Sequence, residues 1–132
     1  MIRVVADTNM LIASIFWNGA PYRIITSALD HKIEIISSPE ILNEVRKVLK
    51  QEFRLSEQET DDIVNCIMSY TTIIEPKIKV KVVRDPKDDM LIEAALDSGS
   101  HYIITRDKDL LVLKQYQGIK MVKPEEFEVN GV

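Results

Sequence analysis

Short apolar runs rich in β-branched residues alternate along this chain with longer runs of helical period. The runs at 2–6, 33–37, 71–74, 102–105 and 119–122 read as strands. Between them lie helix signatures. Pro21 starts a helix through Tyr22, Ile25 and Leu29. Ser38-Pro39 reads as an N-cap followed by proline at the first helical position, with Ile41, Leu42, Val45, Val48 and Leu49 on one stripe. Ser56 to Glu59 forms a capping box opening a helix that carries Ile63, Val64, Ile67 and Met68. Asp85-Pro86 opens another with Leu91, Ala94 and Ala95 inward, and Gly99 stops it. Ile78, Val80 and Val82 alternate with Lys77, Lys79 and Lys81, the pattern of an edge strand or an exposed extended connection. Strands separated by helices are βαβ units, which predict an α/β fold: a mostly parallel sheet with helices on both faces. No internal repeat or boundary divides residues 1–132, so one domain is expected.

Composition narrows the setting. With 45% hydrophobic and 29% charged residues, the chain is neither disordered nor collagen-like. The lone Cys66 can form neither an internal disulfide nor a zinc site, which points to a reducing compartment. No apolar run reaches the ~18–20 residues of a membrane span, and Asp7 comes too early for a signal peptide. A cytoplasmic protein without a membrane is expected. The balance of 17 basic to 21 acidic residues argues against non-specific duplex binding through a broad positive face. It leaves room for a nucleic-acid enzyme whose acids gather at a metal.

The placement of those acids is therefore informative. In an open parallel sheet, ligands bind beyond the carboxyl ends of the strands. Asp7 directly follows the first strand, and Asp107 comes two residues after Thr105. Asp89 lies in the first turns of the helix opened by Asp85, where the helix dipole favours a carboxylate. Glu44 lies about 60° from Ile41 and about 40° from Val48 around its helix, on the margin of the apolar stripe. Four carboxylates on one rim repel; a single pair ~4 Å apart costs about 4 kcal/mol at an effective dielectric of ~20. Such a group takes up protons or binds a cation, and an all-oxygen site selects Mg²⁺ or Mn²⁺. The chemistry that fits is metal-assisted hydrolysis of a phosphodiester by water.

Four segments carry a family resemblance. Val4 to Ile12 (VVADTNMLI) is similar to the opening motif of PIN-domain ribonucleases. Ser38 to Val45 (SPEILNEV), Asp85 to Ala95 (DPKDDMLIEAA) and Ile103 to Leu111 (IITRDKDLL) resemble the second, third and fourth motifs, in the family's order. The chain looks most like the compact prokaryotic PIN proteins that serve as toxins of toxin–antitoxin systems (VapC-like). The resemblance implies a three-layer α/β/α sandwich, Mg²⁺- or Mn²⁺-dependent RNA cleavage and frequent homodimers. It matches Asp7, Glu44, Asp89 and Asp107 to the acidic quartet, with Thr8 or Asn9, and Thr105, at small polar positions that orient the carboxylates. Asp88 competes with Asp89, and Asp109 with Asp107. The spacing to Leu91-Ile92 and Ala94-Ala95 favours Asp89, and the adjacent Thr105-Arg106 favours Asp107. Under the toxin reading, an antitoxin protein occludes the groove.

Plainer roles suit most other polar and aromatic residues. Arg106 and Lys108 flank the site and are candidates for phosphate contact, against the alternative of a solvated loop. Arg46, Lys47, Lys50 and Arg54 read as an exposed helix face, and His31 and His101 as structural. Phe16 and Trp17 could stack a base, although a core or dimer contact is the expectation, and Cys66 reads as a small core hydrophobe. A haloacid-dehalogenase-type phosphatase needs a second Asp where Asn9 stands, and a receiver domain needs an acidic pair where Asp7 stands alone. The remaining competitor is a PIN-like RNA-binding or protein-interaction module without strong catalysis.

Overall fold

The structure is a computed structural model, and it describes the backbone of residues 1–130 and the side chains of residues 1–128. In chain order the elements are β1 (Ile2–Ala6), α1 (Thr8–Phe16), α2 (Ala20–Leu29), β2 (Ile33–Ser37), α3 (Pro39–Gln51), α4 (Glu57–Ser69), β3 (Thr71–Ile73), α5 (Pro86–Ser98), β4 (Tyr102–Ile104), α6 (Lys108–Leu111), β5 (Gln115–Tyr116), β6 (Ile119–Val122) and α7 (Pro124–Asn130). All five expected strands form. The helix beginning at Thr8, the β5–β6 hairpin and the short α6 and α7 lie outside the sequence expectations.

The sheet order is β3-β2-β1-β4-β6-β5, parallel except for the β5–β6 pair. The chain steps outward from β1 to β3 and then returns through α5 to β4. Right-handed crossovers in both directions from β1 set helices on both faces of the sheet, the expected three-layer sandwich. Helix α5 packs on β1, β2 and β4, and α7 returns to α2. Val4, Val5, Ala6, Ile35, Ile36, Ile103 and Ile104 are buried on successive positions, as strands covered on both faces require.

Local signals set the element ends. Ser38 Oγ accepts from the Ile41 N–H at 3.2 Å, and Ser56 and Glu59 exchange both bonds of the capping box. Gly99 ends α5 at φ 67°, a left-handed conformation that disfavours any residue with a Cβ. The stretch 77–83 forms no strand; it is an extended connection laid along α5. The direction of travel reverses between β1 and β4, the switch point at which α/β sheets open a crevice. Two of the four expected acids emerge there.

Candidate metal centre

Asp7 leaves the end of β1 and caps α1. Its Oδ1 accepts the Met10 N–H at 2.8 Å, and its Oδ2 accepts the Thr105 hydroxyl at 2.5 Å. Burial pushes its carboxyl above the usual carboxylate range, while these hydrogen bonds pull the other way. The fully buried Thr105 hydroxyl also accepts the Asp107 N–H at 3.0 Å, so one side chain fixes both loops. Asp107 in turn caps α6 through the Asp109 N–H at 2.8 Å. Thr105 thus ties the Asp7 carboxylate to the Asp107 loop.

Opposite these loops stands the first turn of α5. Asp88 is 8% exposed, and its Oδ2 is buried with no hydrogen-bond partner among the described residues. Its pKa is pushed up to about 7, first by burial and then by the charge of Asp107. Carboxylate oxygens of Asp88, Asp107 and Asp109 lie within 4.8 Å of one another. Asp109 sits on the outer side of this group, 4.0 Å from Arg84. A cleft of about 680 Å³ joins Asp7, Glu44, Asp88 and Asp107, with Thr8 and Asn9 also on its wall. Glu44 reaches it from α3, and Lys87 Nζ lies 3.3 Å from Glu44 Oε1.

Asp89 corrects the sequence reading. It is buried, yet it does not line the cleft; its Oδ1 accepts the N–H groups of Val82 and Val83, each at 3.0 Å. One helical step turns a side chain by about 100°, so adjacent acids on α5 serve different neighbours. Glu93 accepts the Val80 N–H and Asp97 the Lys77 N–H, at 3.1 and 2.9 Å. Asp89, Glu93 and Asp97 therefore form a ladder at four-residue intervals that replaces a partner strand for the 77–83 connection. With Asp89, Glu93 and Asp97 taken by the backbone of residues 77–83, Asp88 is left to face the cleft.

Several further residues move from their expected places. Arg106 lines the cleft, but its guanidinium is held by Glu125 through bonds of 3.0 and 2.6 Å, and Lys108 stays off the cleft wall. Lys87, not singled out in the sequence, also lines the cleft. Phe16 and Trp17 are not core residues: they are 41% and 59% exposed and cluster with Phe53, and Trp17 and Phe53 line the cleft. Cys66 is exposed on α4 rather than buried, as is Met68. Arg46 and Lys50 pair with Asp61 and Glu57 of α4, and His101 Nδ1 accepts the Arg3 N–H. No helix of the described residues is long and apolar enough to cross a membrane.

The donor set suits a hard divalent cation. Its atoms are carboxylate oxygens, and the orphaned Asp88 Oδ2 is a buried acceptor aligned with a second carboxylate whose charge opposes its ionisation. A cation supplies what both lack.

A family profile described as "PIN domain" matches residues 3–109. The uncharacterised protein MJ1680 of Methanocaldococcus jannaschii is 33% identical over 144 aligned residues, covering 96% of this chain and 89% of the relative. Among solved structures, PAE2754 from Pyrobaculum aerophilum superposes with a TM-score of 0.65 at 18% identity, covering 97% of this chain and 88% of that one. VapBC2 from Rickettsia felis, bound to a DNA fragment from its promoter, also gives 0.65, at 12% identity and coverage of 91% and 97%. The PIN domain of T. brucei RRP44 gives 0.53 at 9% identity, covering 97% and 79%. Four ordered motifs, the matched profile and the shared fold agree: the chain belongs to the PIN-domain family.

Proposed function

We propose that this protein is a divalent-metal-dependent endoribonuclease and the toxin of a type II toxin–antitoxin pair. In this reading Mg²⁺ or Mn²⁺ is held by Asp7, Glu44, Asp88 and Asp107, with Asp109 at the outer edge. The observation that carries it is the buried, unpartnered Asp88 Oδ2 beside Asp107 in a cleft shared with Asp7 and Glu44. A divalent ion there neutralises charge on a bound phosphodiester and lowers the pKa of a nearby water. In the hydrolysis, the water's oxygen ends on phosphorus and one of its protons on the departing oxygen, giving one fragment a phosphate and the other a hydroxyl. Thr105 and the Met10 N–H hold Asp7 in one orientation, and Thr105 fixes the Asp107 loop. Thr8 and Asn9 line the wall beside Asp7 and are assigned to support it. The reading places the protein in the cytoplasm, with an antitoxin and a second copy of the chain as partners. VapBC2, similar in fold, supports the antitoxin assignment.

The test is direct. Purified protein is expected to cut single-stranded RNA only with Mg²⁺ or Mn²⁺, and Asp7→Asn is expected to abolish cutting with the fold intact. At a hundred times its dissociation constant, Mn²⁺ stabilises the fold by about 2.7 kcal/mol. Protein that binds RNA but neither binds Mn²⁺ nor cuts is a binding module, and the nuclease reading fails.

Lys87 is assigned to the substrate phosphate, because it is the cleft's cation without a bidentate partner and its side chain is 52% exposed. Lys87→Gln is expected to lower kcat/KM about tenfold, the loss of one charge-assisted hydrogen bond. An unchanged kcat/KM removes Lys87 from the substrate site.

A further inference from the structure

The net charge of −4 conceals a basic strip that the proposed centre does not use. Residues 77–84 carry Lys77, Lys79, Lys81 and Arg84 and no acid. All four are exposed, while Val80, Val82 and Val83 turn partly inward on the core. The backbone beneath them is held by the Asp89–Glu93–Asp97 ladder, so the lysines project from a fixed support rather than a loose loop. Lys77 and Lys81 make no ion pair among the described residues, and Lys79 only reaches Glu93 at 3.8 Å. The ladder gives the strip a direction. Lys77 lies at the far end of α5, Val82 and Val83 at its first turn, and Arg84 arrives beside Asp109 at 4.0 Å. The next residues, Asp85 and Lys87, are on the cleft wall.

We infer that this strip is a track for the phosphates of a single-stranded RNA whose scissile bond lies in the cleft. The inference rests on the nuclease reading for the location of the cut, but not for the binding itself. In an extended chain, side chains on the same face recur every ~6.5–7 Å. Successive phosphates of an extended nucleic-acid strand are spaced on the same scale, so alternate side chains of the strip can meet successive phosphates. The strip thereby supplies sequence-independent affinity on one side of the cut and leaves base recognition to other parts of the cleft.

The experiment uses the full chain carrying Asp7→Asn, so that RNA stays whole, and measures binding of a long oligouridylate across a salt series. Neutralising Lys77, Lys79 and Lys81 together (K77Q, K79Q, K81Q) is expected to flatten the slope of log affinity against log salt by about 2, at ~0.7 per phosphate contact. The triple Lys→Arg variant keeps the slope. With Asp7 intact, cleavage of the long strand falls while cleavage of a trinucleotide does not. If the triple Gln variant fails to fold, the three single Gln variants are each expected to flatten the slope by about 0.7. A slope unchanged by neutralisation overturns the track, even where the protein cuts RNA. A lysine-dependent slope in a protein that never cuts keeps the track and removes the nuclease. Retention on poly-aspartate through the same lysines, without oligouridylate binding, overturns RNA in favour of an acidic protein surface.

Discussion

Asp88→Asn is expected to cut RNA hydrolysis by more than about a hundredfold, beyond the 10–100-fold that follows from disturbing only a ligand's outer partners. The same substitution is expected to raise the thermal stability of the metal-free protein. Asp88 carries a folded-state pKa of about 7, above its ordinary 3.8, because it is buried and faces Asp107. A group raised in this way stabilises the fold most below its unfolded pKa, and the contribution disappears as pH rises through 7. In EDTA, wild-type protein should therefore gain stability on acidification from pH 8 to pH 5. The Asn variant, neutral throughout, should show a flatter profile and a midpoint higher by a few degrees at pH 8. That corresponds to about 1–2 kcal/mol, since the repulsion is shared with Asp107 and the amide is also desolvated. Calorimetry across pH with and without Mn²⁺ checks both halves. A variant that loses activity and also loses metal-free stability would mean that Asp88 is a structural acid and not a ligand.

The neighbouring substitution should behave in the opposite way. Asp89→Ala leaves the Val82 and Val83 N–H groups without their shared acceptor. Each bond to a charged group contributes about 1.5–3 kcal/mol, and water reaches part of this connection, so a loss of about 3 kcal/mol is expected. For a chain of this length the midpoint falls by roughly 10 °C. Asp89→Asn retains one oxygen and should lose less. Mn²⁺ binding by whatever protein remains folded should be close to wild type, because Asp89 does not line the cleft. A folded Asp89→Ala protein that no longer binds Mn²⁺ would restore Asp89 as a ligand.

That pair of substitutions also marks the limit of what the sequence disclosed. Alternation of strand and helix runs foretold β1 to β4, β6 and a mostly parallel sheet, because strands covered on both faces must read as continuous apolar runs. That Asp7, Glu44 and Asp107 share a cleft wall was legible from strand ends and from the margin of an apolar stripe. The choice between Asp88 and Asp89 was not, since helical spacing to Leu91 and Ala94 says which side faces the core but not what lies on the other sides. The deciding partner was the backbone of residues 77–83, which no local pattern assigns to α5. Helix α1 was hidden for a different reason: its cap, Asp7, was read only as a site residue, and residues 8–16 were assigned no element. Cys66 and Met68 were misplaced because α4 lies over β3, the sheet's short outer strand, which covers only Val64, Ile67 and their neighbours.

The two margins of the sheet bear on how copies of the protein can meet. One ends in the three-residue β3 and the other in the two-residue β5, folded back antiparallel on β6. Neither offers enough free backbone for another chain to add a strand, which protects the protein from fibrillar stacking. Contacts between copies would consequently rest on side-chain fit rather than on main-chain bonding along a sheet edge.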